Sequence, residues 1–306
     1  CKLHCRSPHP RIYNCREDVE MALDLARGLD TLRGRLLSDT SVELVQHPFW
    51  RQVVTHSQGA RLIYDCMDNH SGFSTSGASL IKEEEKLFSD ADILITTSVE
   101  LSKLVATHRS STVIRNAAEV EHFAQPPDRL AFKRNRPRVG YFGAISSWFD
   151  VSLVAQSAKA LPDWEFILVG DTFEVDTREL SELDNVRFEG EVPYERLPEY
   201  LHSFDVCMIP FQINDLIRCT NPVKVYEYLS AGKPVVATPM PEIELLGDLV
   251  RVGRNTDDFI EQLRKAMIES TDASLAARRA QWAAGQTWKM RGDALRSLME
   301  NSVPRV

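Results

Sequence analysis

The sequence predicts an α/β protein made of two consecutive domains, each built on a parallel sheet. Short β-branched runs alternate with segments of helical periodicity along most of the chain, and this alternation is typical of βαβ units. The alternation breaks at Pro126-Pro127 and at the basic segment 133–138, and then begins again. We therefore predict one domain over residues 1–128 and a second over residues 129–306.

The elements of the first half follow from these patterns. Residues 1–17 are polar and give no clear element. A polar loop, residues 66–73, leaves the second predicted strand. The predicted strands are 42–45, 61–65, 93–96 and 112–114, and the predicted helices are 17–37, 51–56, 81–89 and 100–107.

The second half opens with a strand at Arg138 that runs into a glycine turn ending at Gly143. The strands predicted after it are 165–169, 186–188, 205–210, 234–237 and 249–252. The predicted helices are 151–161, 193–202, 222–231 and 256–269, with one or two more in the tail.

The stretch 221–242 contains a helix followed directly by a strand. Asn221 is a good N-cap, Pro222 suits a first helical turn, and Gly232 ends the helix. Lys224 and Glu227 are three residues apart and share a helix face. An ammonium, a carboxylate and a helix N-terminus together suit a ligand with phosphates and a sugar diol. The alternative is an ordinary helix–strand joint with a solvated Lys–Glu pair.

Length and composition exclude several classes. The 306 residues are 43% hydrophobic and 26% charged, which describes a globular protein large enough for two cores. The net charge of −8 argues against a nucleic-acid partner. No run approaches the ~20 apolar residues of a membrane span. Because the chain starts at Cys1 without a signal peptide, we interpret it as part of a larger multidomain chain.

The cysteines predict neither a disulfide framework nor a metal centre. Six are spread along the chain without a CxxC pair, and Cys66 and Cys207 fall inside apolar strands as buried thiols. A zinc site is a minor alternative, because the spacing of its four candidate ligands is irregular. Those candidates are Cys1, His4, Cys5 and His9.

The helix–strand block resembles the nucleotide-sugar signature of GT-B glycosyltransferases, in particular the family 4-like enzymes of bacterial polysaccharide assembly. Their helix carries a Glu that holds the nucleotide ribose, followed by a small residue and Gly-x-Pro-Val-Val-Ala-Thr. Glu227 and residues 232–238 match position by position. The resemblance is strongest over 138–252 and weaker in the first half, at 64–68 and 113–116. It implies two Rossmann-like domains facing across a cleft.

The resemblance also implies an activity. Such enzymes move a sugar from a nucleotide diphosphate donor to a carbohydrate or lipid-linked acceptor in cell-surface polysaccharide or glycoconjugate synthesis, generally without a metal. It implies a cytoplasmic location, with or without peripheral contact to the inner membrane face. The first domain, on the acceptor side, is shorter than in relatives and lacks an opening strand and glycine loop. We therefore expect part of that fold upstream of Cys1.

Donor-binding residues are expected in the second domain. Gly143 ends a candidate phosphate loop, and Glu189-Gly190 match the loop that lies along the nucleobase in relatives. A plain turn is an equal alternative for both. The diphosphate is expected at Lys224, helped by Arg218 and by the amides of Thr220 and Asn221. Two features depart from the family pattern: residues 144–150 contain no cation, and Cys219 replaces the first Glu of the Glu-x7-Glu pair.

The acceptor side centres on the loop after the second strand, where Asp65, Asp68 and His70 cluster. Deprotonating an acceptor hydroxyl needs a carboxylate or imidazole within hydrogen-bond reach. Asp68 is the favoured base and His70 the second candidate, whereas Asp65 is expected to cap a turn. A retaining enzyme would need no protein base.

Two other functions stay open. A nucleotide-sugar 2-epimerase shares this fold, and a catalytically silent GT-B module would bind a sugar chain or partner. The broken Glu pair keeps the silent module under consideration. The absence of a G-x-G-x-x-G after either opening strand argues against a dinucleotide oxidoreductase.

Overall fold

The protein is described here by a computed structural model that covers residues 19–36, 41–54, 60–73, 76–132 and 136–301. The zinc alternative at Cys1, His4, Cys5 and His9 lies outside these residues. Within them, no helix is long and apolar enough to cross a bilayer. The expected burial of Cys66 and Cys207 is confirmed, since both are free, buried thiols.

Contacts divide the chain into two compact units between Ile114 and Arg115. This division precedes the predicted boundary at residue 128, because the intervening segment packs within the second unit. There the Phe123 ring stacks on Phe142 at 5.9 Å, and the Phe123 carbonyl oxygen lies 2.9 Å from His202 Nε2.

The described part of the first unit contains a four-stranded parallel sheet in the order β1-β2-β3-β4. Its core includes Ile63, Tyr64, Leu87 and Leu101, which are fully buried. The strands are β1 (Ser41–Val45), β2 (Ala60–Cys66), β3 (Ile93–Thr96) and β4 (Thr112–Val113), and the helices are α1 (Val19–Leu36), α2 (Arg51–Val54), α3 (Ala78–Asp90) and α4 (Val99–Val105), with 3₁₀ turns at Pro48–Trp50 and His70–Gly72.

The second unit, as far as it is described, has six parallel strands in the order β10-β9-β8-β5-β6-β7. The strands are β5 (Arg138–Phe142), β6 (Glu165–Val169), β7 (Val186–Gly190), β8 (Val206–Ile209), β9 (Val235–Ala237) and β10 (Arg251–Val252). The helices are α5 (Val120–Ala124), α6 (Val151–Ala160), α7 (Arg178–Ser181), α8 (Leu197–Leu201), α9 (Asp215–Arg218), α10 (Val223–Ser230), α11 (Pro241–Glu244), α12 (Thr256–Glu269), α13 (Ala273–Ala284) and α14 (Trp288–Asn301).

These two sheets confirm the predicted α/β class. The strands β5, β8 and β9 are buried along their whole length, as strands covered on both faces should be. One predicted helix differs: residues 193–202 form a 3₁₀ turn, Tyr194–Arg196, followed by the short α8. Pro198 lies in the first turn of α8, where a missing N–H is tolerated, so it starts a new helix there.

The predicted N-cap of α10 is wrong. Pro222 occupies the N-cap, with φ −74° and ψ 117°, and no side chain caps the helix. The Asn221 carboxamide oxygen instead accepts hydrogen bonds from the Asn116 N–H at 3.0 Å and the Tyr226 hydroxyl at 3.1 Å. Long-range partners have therefore taken the oxygen that a local cap would use.

Candidate functional site

The second sheet has a topological switch point between β5 and β8. From β5 the chain continues to β6 and β7 on one side, and it then crosses over to β8, β9 and β10 on the other. Open α/β sheets bind ligands at the carboxyl ends of the strands beside such a point. The Lys224 ammonium lies here, 5.5 Å from the ring centroid of Tyr141 in β5 and 5.7 Å from that of Phe211 after β8.

Gly143 provides the space for the Lys224 side chain. Its backbone has φ +126°, and a β-carbon built there would lie 2.2 Å from Lys224 Cε and 2.6 Å from Nζ. Neither distance is compatible with any residue other than glycine, unless the lysine moves. The structure thus brings together two residues that the sequence analysis named separately. The aromatic rings and the glycine hold the ammonium at the end of β5.

The glycine turn does not use Gly140 in the same way. Gly140 lies within β5, and a β-carbon there would be 2.1 Å from the Phe204 ring. Its missing side chain therefore serves core packing. At the end of β6, Gly170 has φ +143°, and a β-carbon would lie 2.1 Å from the Gly143 carbonyl oxygen.

Three glycines consequently connect the ends of neighbouring strands. The Gly143 N–H donates to the Val169 carbonyl at 2.8 Å, and the Gly170 N–H donates to the Gly190 carbonyl at 2.7 Å. Gly190 itself has φ +68° and open space where a β-carbon would lie. Of the three, Gly190 therefore leaves its backbone open to the close approach of a ligand, whereas the space at Gly143 is taken by Lys224 and that at Gly170 by the Gly143 carbonyl.

Lys224 is half-buried and has no hydrogen-bond or ion-pair partner within the described part of the chain. Burial lowers the pKa of its ammonium, and the nearby Glu227 carboxylate opposes that change. A partly desolvated ammonium that lacks an anionic partner is stabilised when an anion arrives. This favours a phosphate ligand over a merely structural role.

Glu227 lies one helical turn from Lys224 and is 8% exposed. Burial raises the pKa of its carboxyl to about 7; Lys224 acts against this and Glu119 adds to it. A buried carboxyl without a fixed hydrogen-bond partner in the described residues can accept two hydroxyl hydrogen bonds from a ribose diol once it is ionised. The spacing predicted from sequence is thus preserved in the structure.

The sequence analysis missed an aromatic residue beside this carboxyl. The Tyr194 ring is 40% exposed and stacks on His122, with centroids 4.6 Å apart and planes 13° apart. Burial and the charges of Glu227 and Glu119 raise the pKa of Tyr194 to about 12. The exposure of a large aromatic beside a buried carboxylate is typical of a stacking surface. Its position four residues after Gly190, in the segment that follows the predicted nucleobase loop, was the sequence feature that could have indicated it.

Thr220 and Asn221 have internal roles. The Thr220 N–H donates to the Ile217 carbonyl at 3.1 Å, and its hydroxyl donates to Leu216 at 3.0 Å. Asn221 is 4% exposed, and its amide nitrogen donates to Glu242 at 3.2 Å. The Thr220 amide and the Asn221 side chain are therefore satisfied internally, whereas the backbone amide of Asn221, which the sequence analysis named for the diphosphate, stays a prediction.

Arg218 shares a cavity with Phe211, one of the two rings beside Lys224. It is exposed and lines a cavity of about 490 Å³ beside the start of α12, together with Phe211, Thr238, Arg254 and Thr256. Among the described residues that line this cavity, neither Gly143, Lys224 nor Glu227 is present. That Lys224 replaces the cations missing from 144–150 stays a prediction.

Two other residues near the strand ends are occupied. The Glu189 carboxylate forms an ion pair with Arg187 and accepts from the Tyr200 hydroxyl at 3.4 Å, which leaves its backbone for a ligand. Asp171 accepts the N–H of Thr172 at 2.9 Å and acts as a turn residue. Cys219 is 6% exposed and takes the place of a carboxylate with a small apolar thiol.

In the first unit, Asp68 and His70 line a cavity of about 600 Å³, together with Gln46, His47 and Trp50. Burial raises the pKa of Asp68 and lowers the pKa of His70 to about 4, where His47 contributes to the lowering. Asp65 lies outside this lining and accepts from Gln46 at 3.0 Å. Asp68 and His70 are thus together in one polar cavity, whereas Asp65 is not.

The loop that carries them is held in place by neighbouring residues. The Thr97 hydroxyl donates to the Met67 carbonyl at 2.7 Å, and Cys66 Sγ lies 3.6 Å from the Asp68 carbonyl. The described residues contain no group of three or more His, Cys, Asp or Glu side chains arranged to hold a metal ion.

Comparison with known proteins gives a consistent result. Residues 136–269 match the model of the family described as glycosyl transferases group 1. TuaH of Bacillus subtilis strain 168, which bears the provisional name teichuronic acid biosynthesis glycosyltransferase, is 27% identical over 74% of this chain. The match spans 64% of the length of TuaH.

Solved structures share the fold. Sucrose-phosphate synthase from Thermosynechococcus elongatus superposes with a TM-score of 0.73 at 12% identity, covering 92% of this chain and 78% of its own. Anabaena HepE, solved with UDP and glucose, gives a TM-score of 0.72 at 15% identity, covering 90% and 81%. The fold and the resemblance predicted from sequence are confirmed.

Proposed function

We propose that this chain, whose residues 136–269 match the model of the group 1 glycosyltransferases, transfers a glycosyl group from a nucleoside diphosphate sugar to a hydroxyl group of a carbohydrate or lipid-linked acceptor. The observation that carries the proposal is the pairing of Lys224 with Gly143 at the topological switch point. An unpaired, half-buried ammonium at that place suits a diphosphate.

The donor would lie along the strand ends of the second unit. Lys224 would neutralise the diphosphate. Glu227 would accept hydrogen bonds from both ribose hydroxyls. The backbone around Gly190 and the Tyr194 ring would contact the base. UDP is the first nucleotide to test, because the HepE structure contains it. Arg218 remains a candidate only for a part of the donor that extends into its own cavity.

The reaction breaks the bond between the anomeric carbon and the diphosphate oxygen, and that oxygen keeps the electron pair. Lys224 would stabilise the charge that develops on it, as a cation preorganised before the reaction. The acceptor oxygen forms the new bond to the anomeric carbon and gives up its proton. In an inverting reaction Asp68 or His70 would take that proton; in a retaining reaction the leaving diphosphate would.

The cavity of the first unit suits the acceptor. It combines proton acceptors, Asp68 and His70, with the aromatic residues Trp50 and Phe73, against which an apolar sugar face can pack. The provisional name of TuaH makes a cell-wall or surface polysaccharide the acceptor class to test. A cytoplasmic site, with peripheral contact to the membrane, would fit a lipid-linked acceptor.

A thermal-shift panel of UDP-, GDP-, dTDP- and CMP-sugars tests the proposal, followed by product analysis with the donor that stabilises the protein. Transfer to an added acceptor supports it. Free epimerised donor without acceptor would indicate a 2-epimerase instead. Stabilisation without any turnover would indicate a silent binding module, and stabilisation by none of the donors would contradict the proposal.

A further inference from the structure

One ring nitrogen of His70 is buried without a hydrogen bond to any described residue. The side chain is 7% exposed, and Nε2 is buried without a hydrogen-bond partner among the described residues. Leaving a buried nitrogen unsatisfied is destabilising. Glu84 Oε1 lies 4.0 Å from Nε2, just beyond hydrogen-bond distance. Because Nε2 faces the protein interior, Nδ1 is the ring nitrogen left for a ligand in the cavity.

Glu84 is a buried carboxyl with a defined environment. It lies on α3, is 5% exposed, and accepts a hydrogen bond from the Tyr64 hydroxyl at 2.7 Å. Cys66 Sγ lies 3.9 Å from the same oxygen. Neither partner is a cation, so nothing in this immediate group neutralises the carboxylate. Burial without a neighbouring cation raises the pKa of the carboxyl, so it gains or loses a proton near neutral pH.

We propose that Glu84 is a positioning residue that decides which nitrogen of His70 carries the proton. When Glu84 is ionised, shortening of the 4.0 Å separation lets it accept from Nε2–H, which leaves the Nδ1 lone pair toward the cavity as a proton acceptor. A protonated Glu84 donates to Nε2, and the ring proton then moves to Nδ1. His70 is able to act as a base only in the first state.

The two titrations are separated in the required order. Burial raises the pKa of Glu84 to about 7, whereas burial and His47 lower the pKa of His70 to about 4. Between these values His70 stays neutral while Glu84 gains or loses its proton. The titratable groups that face the pair are Tyr64, Cys66, Asp68 and Glu85 around Glu84, and His47 at a ring distance of 5.0 Å from His70.

The second titratable ring beside His70 is that of His47. Its Nδ1 accepts the N–H of Phe49 at 3.2 Å, and burial lowers its pKa. Burial therefore favours the neutral form of His47. The Glu84→Gln variant separates a change at His70 that is caused by Glu84 from one caused by this histidine neighbour.

The test is long-range ¹H–¹⁵N correlation spectroscopy of the imidazole nitrogens in the labelled full chain, with His70→Gln to assign the signals. We expect His70 to change from the Nδ1–H form to the Nε2–H form as pH rises through about 7, without becoming imidazolium. His202, whose Nε2 lies 2.9 Å from a carbonyl oxygen, provides the reference pattern of an Nε2–H ring.

In Glu84→Gln the tautomer should no longer depend on pH, because the amide does not titrate. Tyr64→Phe, which removes only one hydroxyl, should move the midpoint upward, since the carboxylate loses a donor. It serves as the second variant if Glu84→Gln fails to fold. A pH-independent His70 in the parent, or an unchanged titration in both variants, would overturn the proposal.

A measurement of transfer activity against pH also tests the proposal, but it rests on the proposed function, whereas the spectroscopic measurement does not. If His70 is the base, the transfer rate of the parent should rise between pH 6 and 8, and Glu84→Gln should remove this rise while leaving donor KM unchanged. A protein without transferase activity that still shows the tautomer change would contradict the proposed function alone.

Discussion

Gly143 and Lys224 cannot both keep their present positions if residue 143 carries a side chain, because a β-carbon there would lie 2.2 Å from Lys224 Cε. The two residues are far apart in the chain: Gly143 directly follows β5, and Lys224 lies in the first turn of α10. The position of the ammonium at the switch point therefore depends on a glycine in another element.

Replacing this glycine should remove the lysine from the site. We expect Gly143→Ala to weaken UDP binding nearly as much as Lys224→Ala does, and the double variant to be no weaker than either alone. Isothermal titration with UDP measures this. Gly247→Ala is the control for replacing a glycine of positive φ away from Lys224, since it has φ +58° and open space where the β-carbon would lie. Additive losses in the double variant would show that Gly143 acts independently of the lysine.

Ribose recognition should depend on pH through Glu227. Its pKa is about 7 in the free protein, and only the carboxylate accepts from both ribose hydroxyls. Affinity for uridine, which has no phosphate to titrate, should therefore rise from pH 6 to pH 8 and level off above. Below the pKa the change should approach tenfold per pH unit. Glu227→Gln should bind weakly at every pH; a similar pH profile in that variant would remove Glu227 from the ribose site.

Tyr194 should contribute to binding of the base. Tyr194→Ala should cost roughly 0.5–1.5 kcal/mol of UDP affinity, whereas Tyr194→Phe keeps the ring and should retain most of it. Pyrophosphate, which lacks a base, serves as the control ligand in the same titrations. An equal loss for UDP and pyrophosphate in Tyr194→Ala would mean that the tyrosine holds the site together instead of stacking on the base.

The acceptor side can be tested without disturbing the donor. Asp68 lies in the first unit and the proposed donor residues in the second. If Asp68 is the base, Asp68→Asn should leave UDP affinity unchanged and lower transfer by roughly 10²–10⁴-fold. His70→Gln is the parallel variant for the second candidate. Full transfer by Asp68→Asn would exclude Asp68, and modest losses in both variants would indicate a retaining reaction.

The sequence was sufficient for the fold class and for the Lys224–Glu227 pair, because both depend on local periodicity. It was not sufficient for Asn221, where a good local cap is overruled by Asn116, more than one hundred residues away. The role of Gly143 as space for a lysine, and the proximity of Glu119 and Tyr194 to Glu227, arise only from tertiary packing. Arg218 was grouped with Lys224 by sequence distance, and the structure places it in a cavity that Lys224 does not line, although Phe211 lies beside both.

The central claim is that Lys224 holds the diphosphate of the donor, and one comparison tests it most directly. Isothermal titration of Lys224→Ala with UDP and with uridine separates the diphosphate from the nucleoside. We predict that UDP affinity falls by about 1.5–3 kcal/mol, roughly 10- to 150-fold, while uridine affinity is unchanged, because only UDP makes the charge-assisted contact. An equal loss for both ligands, or none for UDP, would contradict the account.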